Sequence, residues 1–456
     1  MSEEGNSPDT WYAATRVAGR ERPRLTYDLD VDVCIIGGGL AGLTMAREVA
    51  RRGWSVALLE AREVAWAASG RNTGFVLPGF NADIGDMIER VGLDRTKELW
   101  SLSVDGLEYV RRTIDETAMP GVDPRPGWLH VSKSDVDGGE SRSSVERLRW
   151  IGGDVEAWSP ERVRSLLPNP RYFGAVHYPS AFHIHPLNYA LGLAAAAEAL
   201  GVRIFERTPA ISIDPAGVRK RIVTPDARVR APHVVLAGNV HVGALMPQLA
   251  ATLLPINTFV MVTEPIGPLL SEVIRYRGAV SDTNRADNHY RIVGGENTAE
   301  HRLQWSGRMR VWPADPRGFA GALKRDVRRA FPDLGMVEVA YLWRGTLGRP
   351  VHRMPQIGEI APGQWVASGF AGHGLNTTAM AGELIARGIV EKDDTWRLFA
   401  PYELVWAGGG LGRAAAQGLY WMRSAGDKAT QALARRRARA RSRKSARNAG
   451  REQPAE

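Results

Sequence analysis

Six consecutive residues, Gly37-Gly38-Gly39-Leu40-Ala41-Gly42, place Gly37, Gly39 and Gly42 in a G-x-G-x-x-G spacing, which suits a backbone that must close around a diphosphate. The first glycine permits a tight turn, the second lets the backbone approach a pyrophosphate, and the third allows close helix–strand packing. A helix starting at Leu40 and Ala41 would offer its unpaired amides and partial positive charge to that anion. Glu60 follows about 20 residues later, where an acid can hold a free ribose 2′-hydroxyl, as in FAD or NAD. No catalytic triad or metal cluster accompanies these residues. His183 and His185 flank one residue ahead of Pro186; a metal pair is conceivable, but the spacing fits a helix cap and a half-buried ring better.

The flanking segments have the patterns needed to position this chemistry. Asp32-Val33-Cys34-Ile35-Ile36 is a short apolar run ending at Gly37, as expected of a buried parallel strand. Leu40 to Arg52 has helical spacing and stops at Gly53, and Ser55 to Leu59 is a second strand. The three make a βαβ unit. Further expected elements are a helix over 186–200, strands over 202–205, 210–213, 233–237, 258–263 and 365–369, and helices over 319–331 and 377–388. The stretch from Asn257 to about Arg310 is rich in strands and turns. Rossmann-type pieces thus occur early, midway and late, with other material between them.

Composition narrows the classes. The chain has 456 residues, 44% hydrophobic and 24% charged, ordinary for a globular enzyme-sized protein and against wholesale disorder. A single cysteine, Cys34, excludes an intrachain disulfide and fits a reducing cytoplasm. The polar, acidic start lacks the pattern of a signal peptide, and no apolar run is long enough to span a membrane. The net charge of +9 arises in the tail, because Arg435 to Arg451 contain nine basic residues and no acidic one. The remainder is near neutral, which argues against nucleic acid and for a solvated basic extension. The apolar stretch from Trp406 to Trp421 is expected to pack as a C-terminal helix, with a membrane-surface role as the alternative.

From Glu60-Ala61-Arg62 and Ala68-Ser69-Gly70-Arg71-Asn72-Thr73-Gly74 onward, the sequence resembles the glycine oxidase/sarcosine oxidase-like FAD-dependent amine oxidoreductases, with its likeness strongest to the gamma-glutamylputrescine oxidase branch. The resemblance continues through 183–188, 263–265, 290–291, 343–345, 354–358 and 369–374, and so covers roughly residues 10–425. It implies an α/β fold, a Rossmann-like FAD-binding domain interleaved with a strand-rich α+β substrate domain. The expected divisions are an extension (1–28), an FAD-binding domain (29–80, 150–255, 340–400), a substrate domain (81–149, 256–339), a C-terminal helical segment (401–430) and a disordered basic tail (431–456).

The same resemblance implies the site. Ser69, Gly70 and Gly74 would let the backbone pass close to the cofactor while Arg71 and Asn72 supply donors; Thr73 stands where a glycine is more usual. Ala210 would lie beside the adenine, and Ala237-Gly238 against the cofactor. Gly372-His373-Gly374, followed by Leu375, Asn376 and Thr377, would put a helix N-terminus at the flavin ring. Tyr290 and Arg291 would face the substrate cavity, Arg291 as a carboxylate anchor, with Trp343 and His373 beside the flavin. Relatives with covalent flavin carry a cysteine just after the position of Trp343, but Thr346 and Leu347 stand there, so the FAD is expected to be non-covalent.

The reaction implied is oxidation of a small amine or amino acid by hydride transfer to flavin N5, with oxygen or another acceptor reoxidising the flavin. Two rivals remain: a D-amino-acid-type dehydrogenase feeding a membrane carrier, and a non-catalytic binding protein that uses its basic tail.

Overall fold

The computed structural model describes residues 10–133, 137–282, 288–422 and 426; the basic tail expected over 431–456 lies outside them. The strand Val33–Ile36 is buried along its whole length at the centre of a six-stranded sheet. Val56–Leu59 and Arg203–Phe205 follow on one side, and His233–Leu236, Gln364–Ser368 and Gln356–Ala361 on the other. All pairings are parallel except the last. Alternation along the central strand explains why every residue is apolar. Val33 and Ile35 face a core with Leu43, Leu193 and Leu384, whereas Cys34 and Ile36 face a core with Ile222 and Val229.

The first of these cores is made by the helices Leu40–Arg51, Leu93–Thr117, Pro186–Ala199 and Gly374–Val390. The second lies beneath a four-stranded sheet ordered Leu29–Asp30, Arg228–Ala231, Lys220–Val223, Ser212–Asp214. His185 caps the helix Pro186–Ala199 through its ring nitrogen, which accepts from the Asn188 amide at 3.1 Å. His183 is buried, and its Nδ1 faces the Arg291 guanidinium at 2.8 Å. Arginine only donates, so Nδ1 accepts and Nε2–H donates to the Arg277 carbonyl at 3.0 Å.

A nine-stranded sheet forms the other half. Its path runs Val339–Arg349, Leu254–Thr263, Arg302–Arg310, His289–Val293, Ala279–Asp282, Arg125–Val131, Ala175–His183 and Phe75–Val76, with Glu156–Trp158 added at Ala175–His183. Ala320–Ala330 covers one face, setting Leu323 and Val327 against Phe259 and Trp305. Sheet membership cuts across the expected divisions. The segments 156–158, 175–183 and 339–349 join this sheet, while Leu93–Thr117 packs into the helical core of the other half, where a Cβ on Gly106 would lie 2.3 Å from the Asn376 carbonyl oxygen. The strand expected over 210–213 occupies Ser212–Asp214, leaving Ala210 ahead of it.

Among the described residues no helix is long and apolar enough to cross a membrane. The C-terminal helix spans 409–422. It is anchored by Gln417, whose Oε1 accepts from the Val311 amide at 3.1 Å, and by Ala416 beside Leu347 and Ile256.

Candidate functional site

The glycine turn is built by contact. Gly37 has φ +115°, and a Cβ there would lie 2.8 Å from both the Ala237 carbonyl carbon and the Gly238 amide nitrogen. Gly42 leaves less room still, since its Cβ would sit 2.1 Å from the Gly37 oxygen. Gly39 abuts the Ser69 hydroxyl, which accepts from the Leu40 amide at 3.0 Å. The next two amides, Ala41 and Gly42, belong to the unpaired first turn of the helix, the geometry that receives a phosphate. Glu60 is fixed at the end of its strand by amides, Oε2 accepting from Gly38 at 2.7 Å and Oε1 from Arg62 at 2.9 Å. Burial raises its pKa above the ordinary carboxyl value, against the pull of these amides. Arg62 stacks over Trp66, 4.2 Å from the ring centroid, and Ala61 joins it to Glu60 in the chain.

From this cradle a cavity of about 160 Å³ extends under the nine-stranded sheet. Leu40, Ser69, Arg71, Asn72 and Thr73 line one side, with Gly372, Gly374, Leu375 and Thr378 beside them. The sheet contributes Thr258, Val260, His289, Ser306, Gly345 and Leu347.

The turn 71–74 is held from outside by residues far away in sequence. Trp343 Nε1 donates to the Arg71 carbonyl, and Gln304 Nε2 to the Thr73 carbonyl, both at 3.0 Å. The Ile184 amide donates to the Gly74 carbonyl at 2.8 Å. Asn72 spends its side chain internally, donating to the Ala68 and Ser69 carbonyls and accepting from the Gly74 amide. Gly70 fits against the Ala65 carbonyl, where a Cβ would be 2.5 Å away.

Behind Gly74 lies Arg291, 4% exposed. Its guanidinium donates to the Ile184 carbonyl at 2.7 Å, to His183 Nδ1, to the Tyr12 hydroxyl at 3.0 Å and toward Gln304 Oε1 at 3.4 Å. Among the described residues no carboxylate forms an ion pair with it. Tyr12 sits on the short helix Trp11–Ala14, inside the segment expected to be a mere extension, and donates to Gln304 Oε1 at 2.7 Å.

Several sequence expectations need correction here. Tyr290 does not face the cavity: it stacks on Trp305 with centroids 4.7 Å apart and meets the Tyr172 hydroxyl at 3.0 Å on the opposite face of the sheet. Neighbouring strand residues point to opposite faces, so Tyr290 and Arg291 could not both serve one cavity. Arg291 is on the cavity-facing side but is consumed by the 71–74 support. Trp343 is 1% exposed and acts on the Arg71 carbonyl, not on the cavity. His373 stands at the N-cap position of Gly374–Val390 without a side-chain capping bond and without lining the cavity, and its Nδ1 is buried without a partner among the described residues. Burial, then the nearby His289, depresses its pKa to about 4, so the ring is neutral. Asn376 and Thr377 turn away, Asn376 donating to the Gly79 and Ser103 carbonyls and Thr377 to the His373 carbonyl. Gly374, Leu375 and Thr378 are the helix positions that reach the cavity.

His289, Ser306, Thr258, Thr378, Tyr12 and Gln304 were not foreseen. For His289, alternation from Arg291 was the available signal; for Tyr12 and Gln304, no local signal exists.

The arrangement defines a dinucleotide-binding redox protein whose cradle opens into a chamber roofed by a second sheet. The FAD dependent oxidoreductase family profile matches residues 32–387. Gamma-glutamylputrescine oxidoreductase of Escherichia coli is 32% identical over 406 residues, 87% of this chain and 92% of that protein. The probable oxidoreductase OrdL of Haemophilus influenzae is 27% identical over 86% of this chain and 90% of its own length. Among solved structures, glycine oxidase from Geobacillus kaustophilus shares the fold with a TM-score of 0.68 at 20% identity, covering 83% of this chain and 99% of that one. The chain belongs to the FAD dependent oxidoreductase family, and its cofactor is FAD.

Proposed function

We propose that this enzyme oxidises a small amine or amino acid with non-covalently held FAD. The observation that carries the reading is the continuity of the Gly37–Gly42 cradle with the chamber beneath the nine-stranded sheet. The relative named for gamma-glutamylputrescine supports an amine as substrate. The only cysteine, Cys34, is buried in the central strand, far from serving as a flavin tether. Held in this cradle, FAD would supply the hydride acceptor for oxidation of the amine's α-C–H, and the resulting imine would be open to hydrolysis by water.

The chain's own residues bind and orient. Ala41 and Gly42 amides receive the pyrophosphate, and Glu60 the ribose. The six- and four-stranded sheets with their helices form the cofactor unit, and the nine-stranded sheet forms the substrate unit. Phe75, Val260 and Leu347 make an apolar surround that limits water. The N-terminus of Gly374–Val390 brings the positive end of its dipole to the cavity through Gly374 and Leu375. An α-deuterated amine should reduce the enzyme more slowly than its protiated form in anaerobic stopped flow; equal rates under rate-limiting chemistry would contradict α-C–H transfer. Rapid return of the flavin colour in air would assign oxygen as acceptor, and persistence of the reduced form another carrier. We place the enzyme in the cytoplasm.

A membrane-surface contact is favoured by one specific observation. Leu411, Ala415, Leu419 and Met422 recur at helical spacing on the C-terminal helix and are all exposed, Leu411 by 82% and Met422 by 67%. The nine basic residues between Arg435 and Arg451 follow them. Such a pairing of an apolar stripe with basic charge suits anionic lipid. Full-length protein should float with phosphatidylglycerol vesicles at low salt, with binding weakened by high salt and by deletion of 435–456. Failure to float would remove this contact and leave the enzymatic reading intact.

A further inference from the structure

Ser281, His289, Ser306 and Val260 lie side by side on four neighbouring strands, paired Ser281 with His289, His289 with Ser306, and Ser306 with Val260. They form one row across the face of the nine-stranded sheet, and its last three members line the cavity. Trp128 Nε1, which can only donate, reaches the buried Ser281 hydroxyl oxygen at 2.9 Å. The Ser281 oxygen lies 2.7 Å from His289 Nδ1. With the indole donating to Ser281, the serine O–H is left available to donate to His289 Nδ1, the arrangement that puts the imidazole proton on Nε2. Burial drives the His289 pKa down to about 4, so the ring is neutral. The Phe75 ring meets it nearly edge-on, with centroids 5.9 Å apart, and fixes its plane.

We propose that His289 is a specificity-determining hydrogen-bond donor, held by Ser281 and Trp128, for an sp² oxygen on the non-reacting end of the substrate, with the Ser306 hydroxyl beside it as a second donor. The ligand class is a carboxylate or an amide carbonyl. No aspartate or glutamate lines the cavity among the described residues, whereas Arg71 does. A second ammonium group on the substrate would therefore find no counter-charge, while an acceptor oxygen finds donors. This assignment rests on the amine-oxidase reading and refines the class of amine.

The test uses the FAD-loaded enzyme and three matched probes: butyrate, butyramide and butylamine. Binding is read from perturbation of the flavin absorption band, so turnover is not required. Butyrate and butyramide are expected to bind more tightly than butylamine. His289→Ala should weaken butyrate about 10-fold or more and butyramide roughly 3- to 10-fold, the range of charge-assisted and neutral hydrogen bonds, with butylamine unchanged. His289→Gln, which can present an N–H near the Nε2 position, should restore most of the loss. Ser281→Ala should shift the imidazole ¹⁵N signals of His289 away from a single Nε2–H tautomer and weaken butyrate several-fold. Comparable binding of all three probes to the wild type would overturn the proposal, as would unchanged butyrate binding in His289→Ala. Equal losses in the alanine and glutamine variants would assign the effect to packing against Phe75 and also overturn it. A protein that takes up no FAD would instead refute the cofactor reading; butyrate binding would then be read by calorimetry on the same variants.

Discussion

Gly42→Val should produce a folded protein that emerges from gel filtration without flavin. The added Cβ would lie 2.1 Å from the Gly37 oxygen and 3.2 Å from Ile35 Cγ2. Gly37 cannot retreat, because it is already against the Ala237–Gly238 backbone. The start of Leu40–Arg51 must therefore move, and with it the amides of Ala41 and Gly42. Overpacking of this kind costs about 1–3 kcal/mol, and at the upper end about 100-fold in FAD affinity. Gly410→Ala, where a Cβ meets open space, should keep its full flavin content. Retention of stoichiometric FAD by Gly42→Val would mean that the turn does not carry the cofactor.

The second large effect is expected at Arg291. Arg291→Met preserves bulk but leaves His183 Nδ1, the Ile184 carbonyl and the Tyr12 oxygen without their shared donor, while Gln304 Oε1 keeps only the Tyr12 hydroxyl. Unpaired buried polar groups cost about 1–3 kcal/mol each. Relief of a buried charge that lacks a counter-ion offsets part of that, leaving a net loss of about 3 kcal/mol. Because Gln304 also holds the Thr73 carbonyl, the 71–74 turn should loosen. FAD should then escape at a lower temperature, visible as earlier unmasking of flavin fluorescence on heating. Arg291→Lys should not rescue, since one ammonium cannot reach all these acceptors. A carboxylate anchor would behave differently, raising KM for acidic substrates while leaving the release temperature unchanged.

These two positions also mark how far the sequence could be read. The Gly37–Gly42 turn was legible because its function is local: strand, turn, helix and acid lie within one stretch of chain, and each residue type has a steric reason to be there. The βαβ unit, the 258–263 part of the strand Leu254–Thr263 and the helix Ala320–Ala330 were legible from local pattern. The roof of the cavity was less so. Tyr290 and Arg291 were read as a pair although strand geometry separates adjacent side chains, and His289, of the same parity as Arg291, went unnoticed. On the helix Gly374–Val390 the positions facing the cavity are 374, 375 and 378, and a reading that stopped at Thr377 took residues from the wrong side. The support of the 71–74 turn had no local signature. Tyr12 and Gln304 are 292 residues apart, and nothing in either neighbourhood announces that they share a hydrogen bond. The helix Leu93–Thr117 has regular apolar spacing at Leu99, Leu107, Val110 and Ile114, yet only the folded packing shows which core it joins.

The most direct test of the whole account is the visible spectrum of the purified protein, recorded without oxygen before and after addition of a panel of small amines and amino acids. The account predicts a flavin spectrum that bleaches with at least one member of the panel, and free FAD in the supernatant after denaturation. A colourless protein that cannot be reconstituted with FAD, or a flavin that no amine reduces, would contradict it.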